Sequence, residues 1–124
     1  MKKFYDFNIV TNNPMVKNID NYTVTYLEDY SVRDVFIYCR DLIYKGHILY
    51  THPLSGSVKP NETKYKSIIV SKVAYDLDNE SAQLISNAIM TLDKLKVFTK
   101  EYSETLLDDF KLIDYTVITS ALER

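Results

Sequence analysis

No glycine or proline occurs beyond position 60 of this 124-residue chain. Pro14, Gly46, Pro53, Gly56 and Pro60 are the complete set of both types, and all five lie in the first half. Backbone that must turn sharply or enter left-handed geometry is therefore concentrated there. Charge divides at nearly the same place. Residues 1–72 hold ten Lys/Arg and seven Asp/Glu, net +3, whereas residues 73–124 hold five and ten, net −5. If the chain has an anion site, it is expected in the first half.

The elements follow from local patterns. Residues 7–11 are short, apolar and β-branched, a first strand stopped by Asn12-Asn13-Pro14. Asn caps helices and proline suits a first helical position, so one or two helical turns are expected through Ile19. Residues 22–27 alternate β-formers and read as a second strand. Ser31 then stands as an N-cap with Asp34 three positions on, and Val32, Val35, Phe36, Cys39, Leu42 and Ile43 form one helical face. Gly46 falls where a helix ends in a left-handed residue. Residues 47–52 read as a third strand, residues 53–63 carry no period, and residues 66–73, centred on Ile68-Ile69-Val70, read as a fourth strand. Asp78 or Asn79 caps a helix over residues 81–98, with Ala82, Ile85, Ala88, Ile89, Leu92 and Leu95 inward. The tail over residues 102–122 keeps a helical period (Leu106, Phe110, Ile113, Val117, Ala121) with a break expected near Asp114.

Strands alternating with helices predict an α/β class: a single small domain, a mostly parallel four-stranded sheet flanked by helices, and a helical C-terminus. The 47–52 and 66–73 segments leave two connections open, a wide hairpin or an irregular parallel crossover. Apolar residues make up 46%, enough for a real core. The net charge of −2 argues against a dedicated nucleic-acid binder. One cysteine excludes a disulfide framework within a single chain. No apolar run approaches the ~20 residues of a membrane span, and Met1-Lys2-Lys3-Phe4-Tyr5-Asp6 lacks the apolar stretch of a signal peptide. A soluble cytoplasmic protein without a cofactor or a membrane partner is expected. Where a homo-oligomer forms, a two-fold homodimer is the common outcome.

Ligands of open α/β sheets collect beyond the carboxyl ends of strands. Two loops qualify: the turn Thr11-Asn12-Asn13-Pro14, and residues 51–63. If the first and third strands run parallel as neighbours, both loops open on one edge. The second loop groups unlike chemistries: His52, hydroxyls on Thr51, Ser55, Ser57 and Thr63, the Asn61 amide, the Lys59 cation and the Glu62 carboxylate. Gly56 lets backbone N–H groups approach an anion. Each has a structural alternative. Asparagines are ordinary turn residues, His52 precedes a proline that biases it to extended backbone, and Lys59 can simply be solvated. Ser55-Gly56-Ser57 lacks the full phosphate-loop pattern. Cys39 lies on the apolar helical stripe and reads as a small core hydrophobe. His47, His52 and Glu62 match no metal-ligand spacing. The eleven tyrosines are scattered through strands and helices, and some must face a partner or solvent.

Thr11-Asn12-Asn13-Pro14, Arg40-Asp41-Leu42-Ile43, Gly46-His47 and the run from Thr51 to Thr63 resemble the GrdX family. These are small proteins of anaerobic bacteria encoded beside glycine, sarcosine and betaine reductase systems. The similarity runs over nearly the whole length, and residues 51–63 are its most specific part. Lys64-Tyr65 departs from the family where proline is expected. The resemblance implies a place in amino-acid reductase metabolism without supplying a reaction. Three readings stay open. One is an accessory protein binding a small anionic metabolite or a reductase component through residues 51–63 and 11–14. Another is an interaction module docking through its aromatic or acidic surface. The third is a small enzyme with His52 as acid/base and Ser55 or Ser57 as nucleophile.

Overall fold

The computed structural model describes residues 6–55, 59–95 and 101–123. Its order is β1 (Phe7–Thr11), β2 (Thr23–Tyr26), α1 (Val32–Tyr44), β3 (Ser67–Ser71), α2 (Asn79–Lys94) and α3 (Glu104–Leu122). The sheet has three strands in the order β2-β1-β3. β1 pairs parallel with β2, Ile9 opposite Val24, and antiparallel with β3, Ile9 opposite Ile69.

This corrects the expected four-stranded, mostly parallel sheet. The missing strand is the segment 47–52, which runs antiparallel along the outer side of β3 with one isolated bridge, Leu49 to Val70. Only Tyr50 N–H to Ile69 O and Ser71 N–H to Ile48 O close as backbone ladder bonds. Hydroxyls take the other amides: Ser71 Oγ accepts from Ile48, Ser81 Oγ from Leu49, and Thr51 Oγ1 from Ile69. Side chains replace the carbonyls a strand would have used, and the ladder is interrupted. Of the two connections left open, the antiparallel one is present.

The sheet is covered on both faces. Period-two alternation sends Val10, Ile68 and Val70 to one face, against Val35, Phe36, Cys39 and Ile43 of α1 and Ile85, Ala88 and Ile89 of α2. Ile9 and Ile69 point the other way, against Val16 and Ile118 of α3. β3 is buried along its whole length, which is why it reads as a continuous apolar run.

Local chemistry sets the helix ends. Ser31 Oγ accepts from Asp34 N–H at 3.1 Å and starts α1. At the other end Gly46 N–H bonds Ile43 O and His47 N–H bonds Leu42 O, a Schellman pair. Gly46 has φ +110°, and a Cβ there would lie 1.8 Å from the Tyr75 carbonyl oxygen, so glycine is required. Asp78 caps α2 through Ser81. That helix ends at Lys94, and the predicted continuation over 96–98 lies outside the described residues. The helical turns expected after Pro14 are two successive tight turns, Val16 N–H to Asn13 O and Ile19 N–H to Val16 O, without a helix. α3 is continuous through Asp114 and is not broken there.

Candidate functional site

Because β1 and the 47–52 segment are both antiparallel to β3, they run parallel to each other with β3 between them. The turn after β1 and the loop after residue 50 therefore open on the same edge of the sheet. The carboxyl end of β2 lies there as well.

The turn after β1 points inward. Thr11, Asn12 and Asn13 are all buried. Asn12 Nδ2 donates to the carbonyls of Tyr30 and Lys64 at 2.7 and 2.8 Å, and its Oδ1 accepts from Lys66 N–H at 2.9 Å. One amide thus ties β1 to the approaches of α1 and β3. Asn13 Nδ2 donates to Lys111 O and to Asp114 Oδ2, and its Oδ1 accepts from Met15 N–H. Pro14, which follows, has no N–H to satisfy.

The centre of this polar seam is Asp114, 8% exposed in mid-α3. Its Oδ1 accepts from Ser67 N–H at 2.9 Å, and its Oδ2 from Ser67 Oγ at 2.6 Å and Asn13 Nδ2 at 3.0 Å. Thr11 Oγ1 lies 2.7 Å from Ser67 Oγ and accepts from Asn13 N–H. Since Ser67 donates to the carboxylate, Thr11 donates to Ser67, and the hydroxyls form a relay ending on Asp114. Burial raises the Asp114 carboxyl above its ordinary value, while these bonds and the charge of Lys66 pull it back. Burial also lowers the Lys66 ammonium, which donates to Ser55 O at 2.6 Å. Aspartate's tendency to interrupt a helix comes from bonding its own backbone; here β3 and the Asn13 turn take the carboxylate instead, and α3 runs on.

The 51–63 loop is placed as follows. Thr51 Oγ1 accepts from Ile69 N–H. His52 is exposed, and its Nδ1 accepts from Leu54 N–H at 3.1 Å, directing one ring nitrogen to backbone. Ser55 is exposed and holds Lys66 through its carbonyl. Gly56 and Ser57 lie outside the described residues. Lys59 is exposed, with its carbonyl accepting from Glu62 N–H. Asn61 is half-buried. Glu62 O accepts from Tyr102 Oη at 2.7 Å, which moors the loop's end beside α3. Thr63 Oγ1 accepts from Tyr65 N–H in a local turn. His47 bonds Ser71 O at 2.7 Å through Nδ1. Burial lifts the Cys39 thiol far above its usual range, as befits a core residue. Among the described residues no group of three or more His, Cys, Asp or Glu side chains is arranged for a metal ion. No helix of the described residues is long and apolar enough to cross a membrane.

Between these two loops and the turn from β2 into α1 lies a cleft of about 530 Å³. Asn12 and Pro14 form one wall, Thr63, Lys64 and Tyr65 another, and Tyr26 with residues 28–32 the third, with Leu107 of α3 at the edge. The Tyr26 hydroxyl is pushed above its ordinary value by burial first, then by Glu28, Asp29 and Tyr65, with Lys111 acting in the opposite sense. Cations already stand at its rim: Lys17 Nζ is 5.2 Å from the Tyr26 ring centre and Lys111 Nζ 5.6 Å from that of Tyr65. Sequence reasoning placed Asn12 and Thr63 near a site but missed the Tyr26–Asp29 turn and Asp114. The rule that selects loops after parallel strands, applied to the second strand as well as the first, finds the former. Nothing local marks the latter.

The family model for GrdX-like proteins matches residues 8–123. No curated protein and no solved structure matches the chain. The match covers every strand and helix apart from Phe7, the first residue of β1, and the chain belongs to the GrdX-like protein family.

Proposed function

We propose that this protein is an accessory component of an amino-acid reductase system of the glycine, sarcosine and betaine type. It binds a small anionic metabolite, or a reductase component, in the cleft shared by the 11–14 turn and the end of the 51–63 loop. One observation carries this reading: Asn12 and Pro14 from the 11–14 turn and Thr63 from the end of the 51–63 loop line a single opening at the carboxyl ends of two parallel strands. A carboxylate or phosphate entering the cleft meets Lys64 on its wall and the first turn of α1 beyond Ser31. The lining supports this reading with rings, carboxylates and Lys64, whose ammonium stands 5.4 Å from the Tyr102 ring centre, while the Asn12 amide is already engaged by backbone.

The test is thermal unfolding of the wild type and a Tyr30→Ala/Lys64→Ala double variant against phosphate, acetyl phosphate, glycine, sarcosine, betaine and common nucleotides. A ligand at ~100 times its dissociation constant adds about 2.7 kcal/mol, several degrees in a chain of this size. A shift in the wild type that the double variant loses supports the reading. No shift with any compound, together with no retention of reductase components in a pull-down, overturns it.

A second reading has its own observation. α3 leaves Leu106, Leu112 and Ile113 exposed, beside Asp108 and Asp109. A partner docking on that face is sensitive to Leu112→Lys and indifferent to changes in the cleft.

A further inference from the structure

Most of the polar groups on this edge of the molecule are already paired; among the described residues, the Tyr30 ring and the Glu28 and Asp29 carboxylates in the cleft have no countercharge. Tyr26, Tyr30 and Tyr65 line it, and so do Glu28 and Asp29. Among the described residues neither carboxylate has an ion-pair partner, although Arg33, Arg40 and Lys111 all find one elsewhere. Tyr30 is 42% exposed, and among the described residues no cation stands over its ring. The other two rings show what such a face attracts, since each carries a lysine ammonium within 6 Å of its centre.

Backbone geometry holds this group in place. β2 fixes Tyr26, and Ser31 begins α1, so residues 27–30 bridge a strand end and a helix start. Leu27 is buried with its N–H on Thr11 O at 2.7 Å, and Tyr30 N–H closes back on Leu27 O at 3.2 Å. Tyr30 O is held by Asn12 Nδ2. Asp29 sits at φ +63°, in the left-handed region that aspartate and asparagine tolerate better than most residues. The turn is fastened at both ends and presents two carboxylates beside three rings.

From this arrangement we infer that the cleft recognises a positively charged nitrogen, an ammonium or methylated ammonium, over the Tyr30 ring and opposite Glu28 and Asp29. Ring faces carry negative potential and favour a cation that sheds water easily, and the carboxylates supply the countercharge. This rests on the reading of the cleft as the binding site and adds the second end of the ligand. A molecule that also places an anionic group near Lys64 is then a zwitterion, and the class named is small amino-acid-like or betaine-like compounds. An anion alone gains Lys64 and the lysines at the rim but leaves Glu28 and Asp29 without a countercharge.

The experiment titrates the full chain with tetramethylammonium chloride, with sodium chloride at equal ionic strength as reference and sodium phosphate as the opposite-charge probe. Backbone amide and tyrosine ring NMR signals are followed. The expected result is a saturable shift confined to residues 26–32 and 63–65. It is weakened at least tenfold by Tyr30→Ala, at least threefold by Glu28→Gln/Asp29→Asn, and retained in Tyr30→Phe. The Glu28→Gln/Asp29→Asn pair keeps the left-handed position compatible and stands in should Tyr30→Ala lose its dispersed spectrum. Phosphate shifting the cleft residues while tetramethylammonium does not overturns the cation assignment alone and leaves the binding site. Equal tetramethylammonium affinity in both variants and the wild type also overturns it. If neither probe, nor any compound of the unfolding panel, reaches the cleft, the assignment falls together with the site.

Discussion

Two groups of polar residues lie within a few positions of each other at one edge of the sheet, and they are used in opposite ways. In the seam, Thr11, Asn13, Ser67 and Asp114 are buried and bonded to one another. In the cleft, Tyr26, Glu28, Asp29 and Tyr30 face an opening, and the two carboxylates have no ion partner among the described residues. Asn12 stands at the boundary: it lines the cleft, yet three bonds engage its amide in holding the chain. Density of polar residues is thus a poor guide to a site. What distinguishes a ligand-binding group from a structural one is whether the fold has already satisfied it.

The contrast is broken most severely by Asp114→Ala. It leaves Ser67 N–H, Ser67 Oγ and Asn13 Nδ2 without their acceptor in a dry environment, a loss of about 3 kcal/mol or more. Urea unfolding measures it, and a loss below about 1 kcal/mol would show that water reaches the seam. Ser67→Ala removes one hydroxyl from the relay and costs roughly 1–2 kcal/mol by the same measurement.

A smaller effect is the pH dependence. Burial raises the Asp114 carboxyl, so the folded chain binds its proton before the unfolded chain does. Between the ordinary carboxylate value and the raised folded one, the folded state holds more protons, and this group's contribution to stability falls as pH rises through that window. Comparing wild type with Asp114→Asn at about pH 7.5 and about pH 5, the balance should move toward wild type at the lower pH. A balance that moves the other way refutes the sign.

In the cleft, Tyr30→Ala and Glu28→Gln should leave stability within about 0.5 kcal/mol, since neither side chain is built into the core. On the proposed reading their effect falls on ligand binding, and calorimetry with the same samples separates the two. Least of all is expected from Arg33→Ala. The pair Arg33–Asp93 joins α1 to α2 through two contacts of 2.7 and 3.2 Å, but it is exposed and screened by salt, so no resolvable change in melting temperature should follow.

Legibility followed the range of the interactions. α1 could be read from the chain because its cap, apolar stripe and terminal Gly46 lie within sixteen residues of one another. The apolar run of β3 was equally plain, but its direction depends on which neighbour it meets, and a run of Ile and Val is compatible with either orientation. The 47–52 segment has strand composition and forms only part of a ladder, because Ser71, Ser81 and Thr51 hydroxyls reach its amides and those opposite. Asp114 was opaque for a related reason. Its partners are 47 and 101 residues away, so its carboxylate read as a break in a helix. The cleft was half legible: the turn after β1 and Thr63 follow from strand-end reasoning, whereas Tyr65 and Leu107 arrive from distant sequence.

The partial ladder along β3 also bears on how the molecule behaves in a crowded solution. A regular outer strand with a row of unpaired backbone N–H and C=O groups offers a template on which further chains can add, the route to fibrous aggregates. Here one side of the sheet is closed by a segment whose amides are taken up by hydroxyls of its own chain. On the other side, β2 is four residues long and lies between two left-handed residues, Asn21 at φ +72° and Asp29 at φ +63°. An incoming strand finds a short ledge with a turn at each end. The same turn that shapes the tyrosine cleft therefore helps to keep neighbouring copies from zipping together.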